Sequence, residues 1–335
     1  MKHLYSIILL FSVISFSSAK GKYKETNFFT ESKFIYDVCL SKNGKVIICT
    51  DNNTIKAFSV ENKKLIESYT GGHRNKVLCV AISPDSSMLA SGGSDSTVVI
   101  WDFNTHAVVN RIDFAKGKIT SIKFSPDNQF ILFGCSNSQA YLCNIKEQRK
   151  VHEFKDQQLD VTSVAFTSDG SMIAIAGGDK IIRLYSSVNY ELKSELKGHT
   201  NWIRTIGFYN QDKNLISGGD DKKIIQWNLS KHESKKTSTH EDWVLCIDFD
   251  NSLFNKTNSY VFGTMNGSVI INFSLGVYKA KLNSPISKVI FLPNETGMIE
   301  IAVATLGSGL KYVDAVSMQA IMYNPLKEVR GKKYK

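Results

Sequence analysis

Residues 72–102 read GHRNKVLCVAISPDSSMLASGGSDSTVVIWD, and residues 198–228 read GHTNWIRTIGFYNQDKNLISGGDDKKIIQWN. His73, Ser91, Asp95 and Trp101 are separated by 18, 4 and 6 residues, and so are His199, Ser217, Asp221 and Trp227. Four residue types at three shared intervals mark an internal repeat, and a repeat of this length governs the whole fold. With Trp101 as the marker, Phe58, Cys143, Tyr185, Trp227, Asn272 and Val313 stand at equivalent places, in chain-order steps of 43, 42, 42, 42, 45 and 41 residues. Seven copies then fill residues 31–324 with almost nothing left over. Within a copy, short apolar runs such as Ile119–Phe124, Phe130–Phe133 and Ala140–Ile145 are separated by Ser-Pro-Asp, Gly-Gly or Asn-Gly turns. This pattern reads as four short antiparallel strands per copy. No segment sustains a 3.6-residue period, so almost no helix is expected.

The pairs Gly72-His73 and Trp101-Asp102, with Gly198-His199 and Trp227-Asn228, resemble the WD-repeat family. The resemblance implies an all-β chain folded as a seven-bladed β-propeller of four-stranded antiparallel blades around a central channel. It also implies a structural hydrogen-bonded set in each complete blade, here His73, Ser91, Asp95 and Trp101, and again His199, Ser217, Asp221 and Trp227. Copy six keeps His240 but has Phe262 and Asn272 where Ser and Trp would stand, so an incomplete set is expected there. Copy seven has Gly307 and Val313 and is expected to hold by apolar packing. In this family an N-terminal strand usually completes the last blade. Thr26–Thr30 is the first choice for that strand, and Met318–Tyr323 is the alternative occupant of the outer place on blade seven.

Composition narrows the classes further. A chain of 335 residues that is 42% hydrophobic, with 22 Gly and 5 Pro, is neither disordered nor collagen-like nor a many-span membrane protein. Length alone suggests two domains at roughly 150 residues each, but the repeat makes one. Lys2 and His3 precede the apolar run Ile7–Phe16 and the small residues Ser17-Ser18-Ala19. That is the three-part layout of a secretory signal, and the run is too short to span a bilayer. The expected organisation is a signal peptide over 1–19, a propeller over 20–324 and a basic tail over 325–335. The product is expected to be exported, periplasmic or secreted; a cytoplasmic scaffold is the alternative if the signal is not used. The net charge of +10 is concentrated at Lys327, Arg330, Lys332, Lys333 and Lys335, and at Lys222, Lys223, Lys231, Lys235 and Lys236 on the outer edge of blade five. Neither cluster has interleaved aromatics, so no nucleic-acid partner is expected. Association with an envelope or membrane complex remains open.

Catalytic and metal-binding patterns are scarce. His73, His199 and His240 recur at one repeat position and read as structural, while His106, His152 and His232 lack acidic or Cys partners at metal spacing. Asp248, Asp250 and Asn251 read as strand-end polar residues, since no Gly or terminal Glu completes a calcium loop. No metal, cofactor or enzymatic activity is expected. Cys79 and Cys246 share a repeat position in blades that are not neighbours. Hairpin register sets Cys39 opposite Ile48, leaving Cys49 on the other face, and Cys135 and Cys143 are likewise out of register, so buried thiols are expected.

The expected binding surface lies where the innermost strands begin. Trp202, Arg204, Asp220 and Trp243 fall together on blades five and six as candidate partner-binding residues, with Phe34 and Tyr36 on blade one as the second choice. Aromatic and Arg anchors on a concave face are characteristic of interfaces; both Trp covering the blade seam is the structural alternative. The expected function is a non-enzymatic protein–protein interaction scaffold in a multiprotein assembly. A propeller enzyme or small-ligand binder using channel-facing Thr120, Thr162 and Arg204 is the alternative from another class.

Overall fold

The computed structural model describes residues 25–27, 32–249, 259–273, 276–292, 300–314 and 319–321. These residues form seven antiparallel sheets and no helix. Blade two shows the plan, with Val77–Ile82 innermost, then Met88–Gly93, Val98–Asp102 and Val108–Ile112 outermost. The repeat markers hold one register throughout: Leu89 faces Trp101, Ile173 faces Tyr185 and Leu215 faces Trp227.

Local chemistry sets the hairpins between the two inner strands. Ser41, Ser83, Ser125 and Thr167 each accept, on the side-chain oxygen, the backbone N–H five residues on. The turns close on a left-handed residue, namely Gly44, Ser86, Asn128 or Gly170, with φ of 70, 58, 61 and 73°. Short polar side chains that bond their own backbone favour this turn over continued strand. The apolar faces pack between neighbouring blades. One buried cluster joins Ala90 and Ile100 of blade two to Ile119, Phe133 and Cys143 of blade three.

The ring closes in part as expected. The strand Glu25–Asn27 completes blade seven by pairing with Leu310–Asp314, Thr26 opposite Tyr312. The expectation for Met318–Tyr323 is corrected: Gln319–Ile321 pairs outside Gly276–Lys281 and gives blade six a fifth strand. The seam was already filled from the N-terminal side, whereas blade six offered an open edge. The expected signal peptide and basic tail lie outside the described residues.

All six cysteines are free. Cys39 lies opposite Ile48 and Val38 opposite Cys49, while Cys143 lies opposite Ile131, so the expected registers hold. Burial pushes the Cys246 thiol up to about 12, which makes it a packing group.

Candidate functional site

Two of the blades carry the complete polar set. In blade two the Trp101 indole N–H donates to Ser91 Oγ at 2.8 Å, Ser91 Oγ lies 2.8 Å from His73 Nε2, and His73 Nδ1 lies 3.1 Å from Asp95 Oδ1. Blade five repeats these contacts at 2.8, 2.7 and 2.9 Å through Trp227, Ser217, His199 and Asp221. With Nδ1–H donated to the carboxylate, Nε2 accepts the serine proton and the chain of bonds is fully satisfied. Burial holds His73 below its ordinary value, against the pull of Asp95. The glycine before each histidine makes room for the ring. A Cβ on Gly72 would come within 2.1 Å of Trp101, and one on Gly198 within 2.9 Å of Trp227. Six of these eight residues are buried, and Asp95 and Asp221 are half-buried.

The other blades replace the set. In blade four, Arg183 is buried and bonds Gln157 at 2.8 Å and Asp179 at 2.6 Å, while Tyr185 donates to Asp156 at 2.9 Å. In blade one, Lys56 meets Asp51 at 3.1 Å, both nearly solvent-free. In blade six, His240 bonds Ser238 at 3.0 Å and packs on Phe262 with ring centroids 4.5 Å apart.

The top rim is fixed by a recurring bond from the backbone. In blades two to seven the carbonyl just before the innermost strand accepts an N–H from the loop joining the second and third strands of its own blade: Lys76 from Ser94, Lys118 from Ser136, Asp160 from Gly178, Trp202 from Asp220, Trp243 from Met265 and Pro285 from Leu306. These residues therefore stand at one level around the channel mouth. Two residues further on, the pairing of the two inner strands skips a residue, as between Val161 and Ser163 or Ile203 and Thr205. Such bulges re-aim a side chain. The residues they carry are Leu78, Thr120, Thr162, Arg204, Leu245 and Ser287.

Trp202, Arg204 and Asp220 come together as expected. The Arg204 guanidinium lies over the Trp202 ring, 4.9 Å from its centroid, and donates to both carboxylate oxygens of Asp220 at 2.8 and 2.5 Å. Gly178 borders the same indole: a Cβ there would lie 2.9 Å from Trp202 and 3.0 Å from Leu159. Asp220 is buried, so it positions Arg204 and offers little surface of its own. Trp243 stands on the next blade, 37% exposed, and beside these rim positions Leu159 is 45% and Met265 40% exposed. Neither Leu159 nor Met265 stood out in the sequence, because a single apolar residue in a turn has no period to mark it. On blade one, Phe34 is 52% exposed and bridges to Leu306, and the Lys76 ammonium lies 6.0 Å from the Tyr36 ring centroid.

The channel holds an open cavity of about 650 Å³. Three of its hydroxyls bond across blade seams: Thr120 donates to Val161 O at 2.6 Å, Thr162 to Ile203 O and Ser287 to Ile35 O, each in the next blade. Four charged residues missed in the sequence line its far end, Asp37, Lys123, Asp248 and Lys288. Asp37 and Asp248 each accept a backbone N–H from the neighbouring blade, from Val80 at 3.0 Å and Phe291 at 2.9 Å. Lys123 is held below the usual lysine range by loss of bulk solvent and then by the Lys288 charge. For Lys288 the same loss of solvent is outweighed by Asp37 and Asp248, which hold it above that range. Among the described residues, no three His, Cys, Asp or Glu side chains converge to hold a metal ion.

Comparison with known proteins supplies the family. Residues 190–228, which span the complete blade-five set, match the WD domain, G-beta repeat. The nuclear distribution protein PAC1-1 of Uncinocarpus reesii is 40% identical over 80 residues, 23% of this chain and 18% of that protein. Elongator complex protein 2 of Schizosaccharomyces pombe is 28% identical over 105 residues, 29% and 13% respectively. WD repeat-containing protein 1 of Gallus gallus is 35% identical over 68 residues, 20% and 11%. The chain thus spans less than a fifth of each of these relatives. A longer match runs over residues 12–207, more than half of the chain, to the family described as nucleolar protein 10-like, N-terminal domain. The chain is a WD-repeat β-propeller and belongs to that nucleolar protein 10-like family.

Proposed function

We propose that this propeller is a non-enzymatic scaffold that holds a protein partner on its top rim within a multiprotein assembly. The observation that carries the reading is the Trp202–Arg204–Asp220 stack, with exposed Trp243, Leu159 and Met265 on the same rim. A rigid aromatic held by a half-buried ion pair loses little conformational freedom on binding, which favours it as an anchor. Relatives named for a complex and for nuclear distribution support a role in assembly. The channel supports the enzyme alternative poorly, since Thr120 and Thr162 are bonded across blade seams and Arg204 is paired with Asp220. The test is Trp202→Ala with Trp243→Ala on the full chain. Co-purifying partners fall away by about tenfold or more if these are anchors, and partners retained at wild-type level overturn the site.

The compartment belongs to the same proposal. The layout of residues 1–19 supports export to the periplasm or beyond. A second reading, retention inside the cell, is favoured by the family match beginning at residue 12 and by six unpaired thiols. Sequencing of the mature N-terminus separates them: a start at Lys20 supports export, and a start at Met1 supports retention.

A further inference from the structure

We infer that the top rim takes an acidic segment of a partner protein, its carboxylates on blades one to three and an apolar residue on the Trp202–Trp243 side. The inference rests on the rim reading above and adds the chemistry of the partner. The three positions that precede Val77 in blade two, and their repeat equivalents in the other blades (32–34 in blade one), divide the rim into two unlike sectors. Blades one to three carry Lys33, Arg74, Lys76, Lys116 and Lys118 there, all exposed, whereas blades four to six carry Asp160, Glu241 and Asp242 and no cation. None of the five cations has an ion pair or a side-chain hydrogen bond among the described residues. Asp95, which lies near Arg74, is engaged with His73 and with the Arg74 backbone N–H at 2.9 Å. The loops that lead into these positions carry Asp113 and, outside the described residues, Glu31. A cluster of unpaired like charges around one concave mouth raises a field that a partner of opposite charge relieves, and it steers that partner on approach.

One feature selects a peptide over a nucleic acid. A phosphate backbone carries charge at every step, so a strand crossing the mouth would meet Asp160 and Asp242 after leaving the lysines. A polypeptide changes character along its length and can present carboxylates first and an apolar side chain next. Leu159 and Met265 beside the two Trp suit that second part.

The experiment is selection of random peptides on the full chain, with binding then measured by fluorescence anisotropy. The probes are the selected peptides and an oligouridine. The expected result is enrichment of peptides rich in Asp and Glu with one large apolar residue, and binding that weakens as salt rises. K76E with K118E lowers affinity by about tenfold or more, and W202A with W243A lowers it as well. Peptides without acidic bias that lose binding only in the Trp variants overturn the acidic inference and leave the rim reading standing. Peptides indifferent to both variants overturn the two together. Oligouridine that binds and is released by K76E with K118E overturns the peptide in favour of nucleic acid.

Discussion

Blades two and six occupy the same repeat position and meet the same packing demand with different chemistry. In blade two four polar groups bond in series, and the Trp101 indole at their head is fully buried. In blade six the histidine keeps its place while its partner changes. Phe262 fills the serine position, Ser238 bonds the imidazole instead, and Asn272 at the indole position donates to Tyr260 Oη at 3.0 Å. The repeat therefore conserves the space to be filled, and the polar series is one way of filling it. Where the series exists, each member depends on the next, since a buried donor left without an acceptor costs more than the bond contributed.

The largest expected effect is at the head of the series. Trp227→Ala in the other complete blade removes a fully buried indole and is expected to cost about 3–5 kcal/mol. Asn272→Ala at the equivalent place in blade six should cost under about 1 kcal/mol. Midpoints of urea unfolding give both values, and a loss at Asn272 equal to that at Trp227 would erase the distinction between the blades.

The imidazoles sharpen the comparison through pH. Burial lowers His240 to about 4, from an ordinary value of 6.5. Between those values the unfolded chain binds a proton that the folded chain does not. The His240 contribution is therefore complete above about pH 6.5 and is lost as pH falls toward 4, by up to about 3 kcal/mol. His240→Gln should flatten the pH dependence of stability in that window. A variant with the wild-type slope would show that His240 takes its proton in the fold without difficulty.

How far the sequence disclosed this molecule depends on how often each feature recurs. The blades were readable because seven copies repeat one spacing, and the cysteine registers followed from hairpin geometry alone. The seam was only half readable, because the strands Glu25–Asn27 and Gln319–Ile321 are short and lie outside the repeat. The proximity of Trp202, Arg204 and Asp220 was readable from their rim and channel positions. The basic sector and the channel charges Lys123 and Asp248 were not, because grouping them requires superposing residues from different blades at one level. The ion pairs Lys56–Asp51 and Arg183–Asp179 were missed for a related reason: both cations replace Val99 of blade two, where the pattern predicts an apolar side chain.

Ser91→Ala tests the series itself. It leaves the Trp101 N–H and His73 Nε2 facing each other without the hydroxyl, at an expected cost of about 1–3 kcal/mol. Blade six, with Phe262 already at that place, has no equivalent loss to suffer. A Ser91→Ala protein as stable as the wild type would mean that the polar series is incidental to packing.

The smallest expected effect lies between blades. Thr162 donates across the seam to Ile203 O, while Leu78 and Leu245 stand in the same bulge of blades two and six with no hydroxyl to offer. Thr162→Val gives the seam between blades four and five the character of those two, at an expected cost of about 1 kcal/mol. Apolar contacts such as Ala174 and Ala176 with Ile203 remain in place. Local opening should rise before global stability falls, so hydrogen exchange at the amides of Ile203–Tyr209 is the sensitive measure. Faster exchange confined to that strand assigns the seam to the hydroxyl. Unchanged exchange assigns it to apolar packing, and blades two and six would then be joined to their neighbours as firmly as blade four.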